Sequence, residues 1–159
     1  MPATKLKQFL DARNVRYLVI QHSPAYTAQE IASSAHIPGR EVAKTVMVML
    51  DGVMAMAVLT ATKKIDMELL ERTSGARRAQ LAGEKEFKDM FPDCEVGAMP
   101  PFGNLYGMKV FVDEMLADGD VIAFNAGSHA ELIQMTYKDF ARLVEPVVAP
   151  LAFEIRMHA

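Results

Sequence analysis

The sequence predicts an α/β fold of the α+β type, a compact mixed β-sheet or partly closed barrel surrounded by short helices. Two apolar runs, Val42 to Leu50 and Val53 to Thr60, are joined by Asp51-Gly52. This dipeptide is preferred in the type I′ turn of a two-residue hairpin, because both central residues need positive φ. Elsewhere, strand-like and helix-like segments follow one another without a regular βαβ alternation, which argues against a doubly wound sheet.

The other elements follow from apolar spacing and from residues that start or stop helices. Leu6, Phe9 and Leu10 at helical spacing predict a helix over Thr4 to Asn14, and the β-rich run Val15 to Ile20 predicts the first strand. A capping box at Thr27 predicts a helix over Gln29 to Ala35, and further helices are expected over Ile65 to Thr73 (from Asp66) and Gly83 to Met90. Strands are expected over Met108 to Asp113, Val121 to Phe124 and Leu132 to Met135, with a turn around Asp118 to Asp120 between the first two. The last expected helix is capped by Thr136 and runs to about Val144. The tail after Pro146 shows no pattern.

Composition indicates one soluble domain spanning residues 1–159. The chain is 51% hydrophobic and 23% charged, which supplies a core and excludes a disordered chain. Its start lacks the apolar segment of a secretory signal, and no window approaches the roughly 20 apolar residues of a membrane helix. A single cysteine, Cys94, excludes an internal disulfide framework and a multi-cysteine zinc site. We therefore expect a cytoplasmic protein with no membrane partner.

Net charge limits how the chain can hold a polyanion. The formal charge is −3 and the isoelectric point about 5.8. Proteins that bind nucleic acid through many phosphates usually carry a broad basic surface. This chain offers only three local basic points: Arg40 with Lys44, Lys63 with Lys64, and Arg77 with Arg78. Any nucleic acid should therefore be held weakly.

Lys44 is the first candidate for chemistry. It lies between Ala43 and Thr45 at the start of the most apolar predicted strand. Burying a lysine there without a partner costs several kcal/mol, so it must either reach solvent or face a polar cavity. A cavity lysine would present a fixed positive charge to a phosphate or to a developing oxyanion.

A second candidate is the loop from Gly97 to Gly103. Its two glycines allow a ligand to approach the backbone, and Pro100 and Pro101 restrict the loop to one shape. Exposed amides in such a loop can bind a carbonyl or an oxyanion. The alternative is a rigid surface connection. The full segment is Gly97, Ala98, Met99, Pro100, Pro101, Phe102 and Gly103.

The third candidate is a polar stretch, expected to be a tight loop directly after a strand. Its residues are Asn125, Ala126, Gly127, Ser128 and His129. Small residues here suit close contact between a ligand and the main chain. His129 could orient a water or bind a ribose hydroxyl; a hydrogen-bonded surface histidine is the alternative.

Other catalytic arrangements find less support. Ser128, His129 and Asp113 could form a triad, but no G-x-S-x-G elbow is present and the first two are neighbours in sequence. The four histidines lack metal-binding spacing, so no metal or other cofactor is expected. Cys94 lies between two acidic residues, which disfavour a thiolate nucleophile.

In order and spacing, these segments resemble the YbaK and prolyl-tRNA synthetase-associated family of tRNA editing domains. The matching segments are Arg40 to Val46, the G-x-x-x-P loop Gly97 to Pro101 with Phe102-Gly103, and Asn125 to His129. The similarity runs from about Tyr17 to Val144. It implies a compact domain of mixed sheet and packed helices that hydrolyses the ester between a misattached amino acid and the terminal adenosine of a tRNA.

The resemblance also implies roles for individual residues. Lys44 would contact the phosphate or ribose of that adenosine, the Gly97 to Pro101 backbone would position the aminoacyl carbonyl, and His129 would line the same pocket. Water would be oriented by backbone and by a substrate hydroxyl, with no metal. The implied partners are the acceptor end of a mischarged tRNA, with a tRNA for proline favoured, and an aminoacyl-tRNA synthetase.

Two alternatives to a free-standing deacylase stay open. One is a non-catalytic module that docks on a tRNA acceptor end or on a synthetase. The other is a hydrolase of a different small ester or nucleotide that uses the same pocket.

Overall fold

The computed structural model describes residues 4–154, whose strands form three sheets surrounded by short helices. The strands are β1 (Leu18–Gln21), β2 (Ala43–Leu50), β3 (Val53–Thr60), β4 (Lys63–Ile65), β5 (Ala79–Leu81), β6 (Val110–Asp113), β7 (Val121–Ser128), β8 (Glu131–Thr136), β9 (Val147–Ala149) and β10 (Ala152–Glu154). The α-helices are α1 (Thr4–Ala12), α2 (Ala28–Ala35), α3 (Met67–Ser74), α4 (Glu84–Phe87), α5 (Glu114–Ala117) and α6 (Tyr137–Val144). Short 3₁₀ turns occupy Gly39–Glu41, Lys88–Met90 and Gly103–Tyr106.

A five-stranded mixed sheet, in the order β5-β2-β3-β6-β9, forms the centre of the fold. The predicted hairpin is confirmed, with β2 and β3 antiparallel in a register from Ala43 opposite Thr60 to Leu50 opposite Val53. Asp51 and Gly52 both have positive φ, 49° and 82°, as the turn requires. The pairs β3 with β6 and β6 with β9 are parallel, which makes the sheet mixed.

A three-stranded antiparallel sheet, β1-β8-β7, meets the central sheet at the start of β2. One parallel bridge between Val42 and Ala123 joins β7 to this point. The strands between residues 4 and 154 do not close into a barrel. Of the two arrangements predicted, a mixed sheet or a partly closed barrel, the structure has the mixed sheet.

Apolar residues pack on both faces of the central sheet. The larger cluster includes Phe102, Phe124 and Phe140 and draws in α1 and α6. On the opposite face, Leu59 and Leu70 pack within a smaller cluster beneath α3. A third cluster, which includes Val42, Ile31 and Leu132, attaches α2 next to β7 and β8. No helix within residues 4–154 is long and apolar enough to cross a membrane.

Side-chain caps begin three helices where the sequence predicts them. Thr27, Asp66 and Thr136 accept backbone hydrogen bonds at the N-termini of α2, α3 and α6. Each such cap supplies an acceptor for a helical N–H that has no partner within the helix. Local side-chain chemistry therefore sets these boundaries correctly.

The polar stretch at Asn125 was predicted wrongly as a loop. Asn125 to Ser128 lie within β7, which continues to Ser128, and the pairing with β8 shifts between Asn125 and Ser128. Asn, Gly and Ser are poor strand residues by propensity, but tertiary pairing overrides that preference here. The tight turn lies at His129 and Ala130 instead, between β7 and β8.

Several short elements were missed because their patterns are too short to read. They are β4, β5, the helix α5 before the turn predicted around Asp118, and β9 and β10 in the tail after Pro146. The first strand also begins at Leu18 rather than at Val15. Strands of three residues give no alternation to detect and form only where a neighbouring strand supplies hydrogen bonds.

The carboxylate of Asp113 links three segments at the end of β6. It is fully buried, accepts hydrogen bonds from the backbone N–H groups of Met115 and Leu151, and lies 3.2 Å from the Lys63 ammonium. The Lys63 side chain is only 12% exposed. Removing one partner of such a buried pair leaves the other charge without compensation.

Replacing Asp113 with Ala should lower the free energy of unfolding by about 3 kcal/mol, because Lys63 and two backbone donors lose their acceptor. Urea denaturation of wild type and variant measures the difference. Asp139→Ala is the control: Asp139 forms an exposed pair with Arg142 on α6 and should cost less than about 1 kcal/mol. Equal losses in the two variants would show that the Asp113 network contributes no more than a surface pair.

Candidate active site

One isolated parallel bridge, from Val42 to Ala123, brings the start of β2 next to β7. Lys44 and Asn125 each follow this bridge by two residues. The Oδ1 atom of Asn125 is buried, with no hydrogen-bond partner among residues 4–154.

Lys44 is a half-buried cation. Burial lowers the pKa of its ammonium, and the nearby charge of Lys64 lowers that pKa further. Within the described part of the chain, no side-chain or backbone acceptor bonds its Nζ and no carboxylate pairs with it. Lys44 is therefore a half-buried ammonium without an acceptor among the described residues.

The Gly97 loop exposes only its first residue. Gly97 is exposed with a φ of 85°, whereas every residue from Ala98 to Gly103 is buried. The loop is irregular, as predicted. It is not a simple surface connection, because most of it lies inside the protein.

Two backbone hydrogen bonds attach this loop to β7. The Glu95 N–H donates to the Gly127 carbonyl (2.7 Å), and the Gly127 N–H donates to the Ala98 carbonyl (3.0 Å). Both polar groups of Gly127 are thus directed at the loop, in the region where the β7–β8 register shifts. These bonds, with Gly127 at a φ of 85°, bring the Gly97 loop against the Asn125 to His129 segment.

The first part of the loop, Gly97 to Pro101, contains one amide without an acceptor among the described residues. The Gly97 N–H contacts the Met99 sulfur at 3.3 Å, and the Ala98 N–H donates to the Glu95 carbonyl. The Met99 N–H has no acceptor among the described residues, and Pro100 and Pro101 carry no N–H. Within Gly97–Pro101, Met99 therefore carries an N–H without an acceptor in the described structure.

His129 holds the start of the loop in place. Its Nε2 lies 2.9 Å from the carbonyl oxygen of Val96, so this nitrogen carries the proton and donates it. A Cβ added to Gly97 would lie 3.5 Å from the His129 ring. The Nδ1 atom is buried, with no partner in the described structure. Through these contacts His129 positions the loop.

Other predicted site residues lie further from solvent than expected. The side chains of Met99 and Phe102 pack in the main core, and Gly103 is tight against Val110 and Met108. Ser128 accepts a hydrogen bond from the Ala130 N–H. These contacts give the residues a supporting position beneath the loop.

The alternative catalytic arrangements are not assembled. His129 binds the Val96 carbonyl, while Asp113 binds Lys63, Met115 and Leu151, so no relay joins Ser128, His129 and Asp113. Among residues 4–154, no group of three His, Cys, Asp or Glu side chains is placed to hold a metal ion.

Two residues near this region were missed as contributors. Tyr26 is 72% exposed and its ring packs against His129, with the centroids 4.7 Å apart. Lys64 was noted only as a basic point, yet its charge acts on Lys44. The sequence did contain a signal for Tyr26: it lies between Pro24 and the capping residue Thr27, and these two residues restrict the backbone on either side of it.

A family model described as "aminoacyl-tRNA editing domain" matches residues 22–143. The match spans most of the chain and includes Lys44, the Gly97 loop and His129. The chain belongs to the aminoacyl-tRNA editing domain family. No curated protein matches it.

Solved structures agree with this fold. A structure described as a hypothetical protein has a TM-score of 0.83 at 19% identity, with 94% of this chain and 99% of that chain covered. A structure presented as a proposed trans-editing enzyme for prolyl-tRNA synthetase has a TM-score of 0.80 at 19% identity, covering 95% and 96%. A scaffold protein used for computational epitope grafting reaches 0.80 at 18% identity, covering 96% and 97%. At these identities the similarity shows the fold alone.

Replacing Lys44 with Met should stabilise the editing domain at neutral pH, by roughly 0.5–1 kcal/mol, because a half-buried unpaired charge is removed. The folded-state pKa of Lys44 is lowered, so the unfolded chain binds its proton more readily and wild-type stability rises with pH through the interval just below 10.5. The advantage of the variant should therefore shrink as pH approaches 10.5. Urea denaturation at several pH values measures this.

The control is Lys138→Met, on an exposed residue of α6, where no gain in stability at pH 7 is expected. A Lys44→Met protein less stable than wild type at pH 7 would contradict the unpaired placement of this lysine.

Proposed function

We propose that this chain is a single-domain, free-standing trans-editing hydrolase of the cytoplasm. It would deacylate mischarged aminoacyl-tRNA, with tRNA for proline as the first candidate. The observation that carries the proposal is the grouping of an unpaired, half-buried lysine and a loop with a free amide about β7, in a chain of the editing family.

The proposed reaction is hydrolysis of an ester. Water adds to the carbonyl carbon that joins the amino acid to the terminal ribose, and the bond from that carbon to the ribose oxygen breaks. The ribose oxygen leaves with a proton derived from the water, which yields free amino acid and tRNA. The backbone and a substrate hydroxyl orient the water.

Each residue has a role that its position supports. The Met99 N–H, in the Gly97–Pro101 segment, would donate to the oxygen that becomes negative as water adds. Lys44 would hold the phosphate or ribose of the terminal adenosine, because its ammonium has no internal partner. Asn125 offers a buried oxygen acceptor to the same ligand. His129 would position Gly97, and Gly127 would anchor the loop.

A site of this modest size is sufficient for the proposed chemistry. An aminoacyl ester is already activated, so positioning and one oxyanion donor supply much of the acceleration. Hydrolytic editing exists because one methylene gives a synthetase only roughly 1–3 kcal/mol of discrimination. A second pocket that excludes the larger, correct amino acid solves this problem by shape.

The charge of the chain supports help from a partner. With a net charge of −3, the protein has few cations to hold the tRNA backbone. Its own contacts would then be confined to the acceptor end, and a synthetase would add affinity for the rest of the tRNA. The competing function is a non-catalytic module that docks on the same end.

Wild-type protein should deacylate at least one member of a panel of mischarged tRNAs that begins with alanyl- and cysteinyl-tRNA for proline. Lys44→Ala should lose about 100- to 1,000-fold in rate, because the charged contact that holds the terminal adenosine, and so positions the ester, is removed. Release of labelled amino acid under single-turnover conditions measures the rate.

Lys138→Ala, on an exposed part of α6, is the matched control and should retain wild-type activity. If neither wild type nor control hydrolyses any member of the panel, although both are folded and bind tRNA, the deacylase proposal is wrong and the docking module is favoured.

A further inference from the structure

We propose that Tyr26 and His129 form a stacking shelf for an unpaired base at the 3′ end of the aminoacyl-tRNA. The proposal rests on the proposed function, and it names how the same site recognises its nucleotide. Tyr26 is the largest side chain in this region left mostly in solvent, at 72% exposure.

The shelf is held in place before any ligand arrives. The Ala25 N–H donates to the His129 carbonyl (3.0 Å), and the His22 N–H donates to the Ala130 carbonyl (3.0 Å). On the other side of Tyr26, Thr27 caps α2 through the Glu30 N–H. The backbone of Tyr26 is therefore fixed from both sides, which lowers the entropy lost on binding.

The shelf adjoins the exposed start of the Gly97 loop. The rings of Tyr26 and His129 are 4.7 Å apart at 43°, and His129 is bonded to the Val96 carbonyl. A Cβ on Gly97 would lie 3.5 Å from the same histidine. Val96, 41% exposed, adds apolar surface at this edge. A base on the shelf would be close to an ester held at the loop.

Charge favours a base as the occupant. With a net charge of −3, the chain has few cations for the tRNA backbone, so contacts that do not depend on phosphate charge would add to the contact of Lys44. Stacking on an aromatic ring supplies such a contact, and every base has a face that can stack. The 3′ end of tRNA is single-stranded, so its bases are free to do so.

A short CCA oligonucleotide with 2-aminopurine at its 3′ end tests the shelf without catalysis. Stacking quenches this fluorophore, so wild type and Tyr26→Phe should quench it. Tyr26→Ala should bind about 5- to 150-fold more weakly, and Tyr26→Leu should resemble Ala because it lacks a ring face. Leu81→Ala, a similarly exposed apolar residue on β5, is the control and should bind as wild type does.

Deacylation kinetics provide the second measurement. Tyr26→Ala should raise KM for mischarged tRNA by a similar factor and leave kcat within about twofold, and Tyr26→Phe should restore KM. The ratio of wild-type to Tyr26→Ala affinity should stay constant between low and moderate salt, since stacking releases no counterions.

The two proposals fail in different ways. Equal quenching by wild type and Tyr26→Ala, or no quenching by wild type at millimolar protein, overturns the shelf even if tRNA is deacylated. Absence of deacylation overturns the proposed function, while the oligonucleotide measurement still decides the shelf.

Discussion

The site depends on one backbone contact, the pair of hydrogen bonds between Gly127 and the Glu95–Ala98 segment. These bonds turn Gly127 away from regular pairing with β8, so that a strand anchors a loop from another part of the chain. They also fix the position of Gly97 relative to His129, whose Nε2 donates a hydrogen bond to the Val96 carbonyl. Four residues earlier, Ala123 of β7 is bridged to Val42, which brings the start of β2 next to the same strand. Without this contact, lysine and loop would have no fixed relation.

Lys44 shows a second constraint, because a half-buried charge without an internal partner lowers the stability of the fold. Burial and Lys64 both disfavour its protonated form, and no carboxylate in the described chain compensates. By contrast Lys63, one residue before Lys64, is paired with the buried Asp113 and serves the fold. The protein neutralises the charge of Lys63, whereas the proposed function would use the charge of Lys44 for a ligand.

Local rules predicted much of the fold, since the hairpin turn at Asp51-Gly52 and the caps at Thr27, Asp66 and Thr136 depend on neighbouring residues alone. The same rules failed at Asn125 to Ser128, where long-range pairing makes a strand from residues that favour turns. At the candidate site, Lys44, Gly97 and His129 could be found in the sequence. The burial of Met99 and Phe102, the role of Gly127 as an anchor and the exposure of Tyr26 could not, because each depends on contacts between distant segments.

The central claim is that Lys44 and the Gly97 loop act on one ester, and a double-mutant cycle tests it most directly. Gly97→Ala strains a residue at φ 85° and shifts the loop, whereas Gly52→Ala imposes a similar strain at φ 82° in the distant hairpin turn. We predict that the double variant loses less single-turnover rate than the product of the fold-losses of Lys44→Ala and Gly97→Ala, since both residues serve one transition state. When Lys44→Ala is combined with Gly52→Ala, the fold-losses in rate of the two single variants should multiply. Independent, multiplicative losses for Lys44 and Gly97 would contradict a shared site.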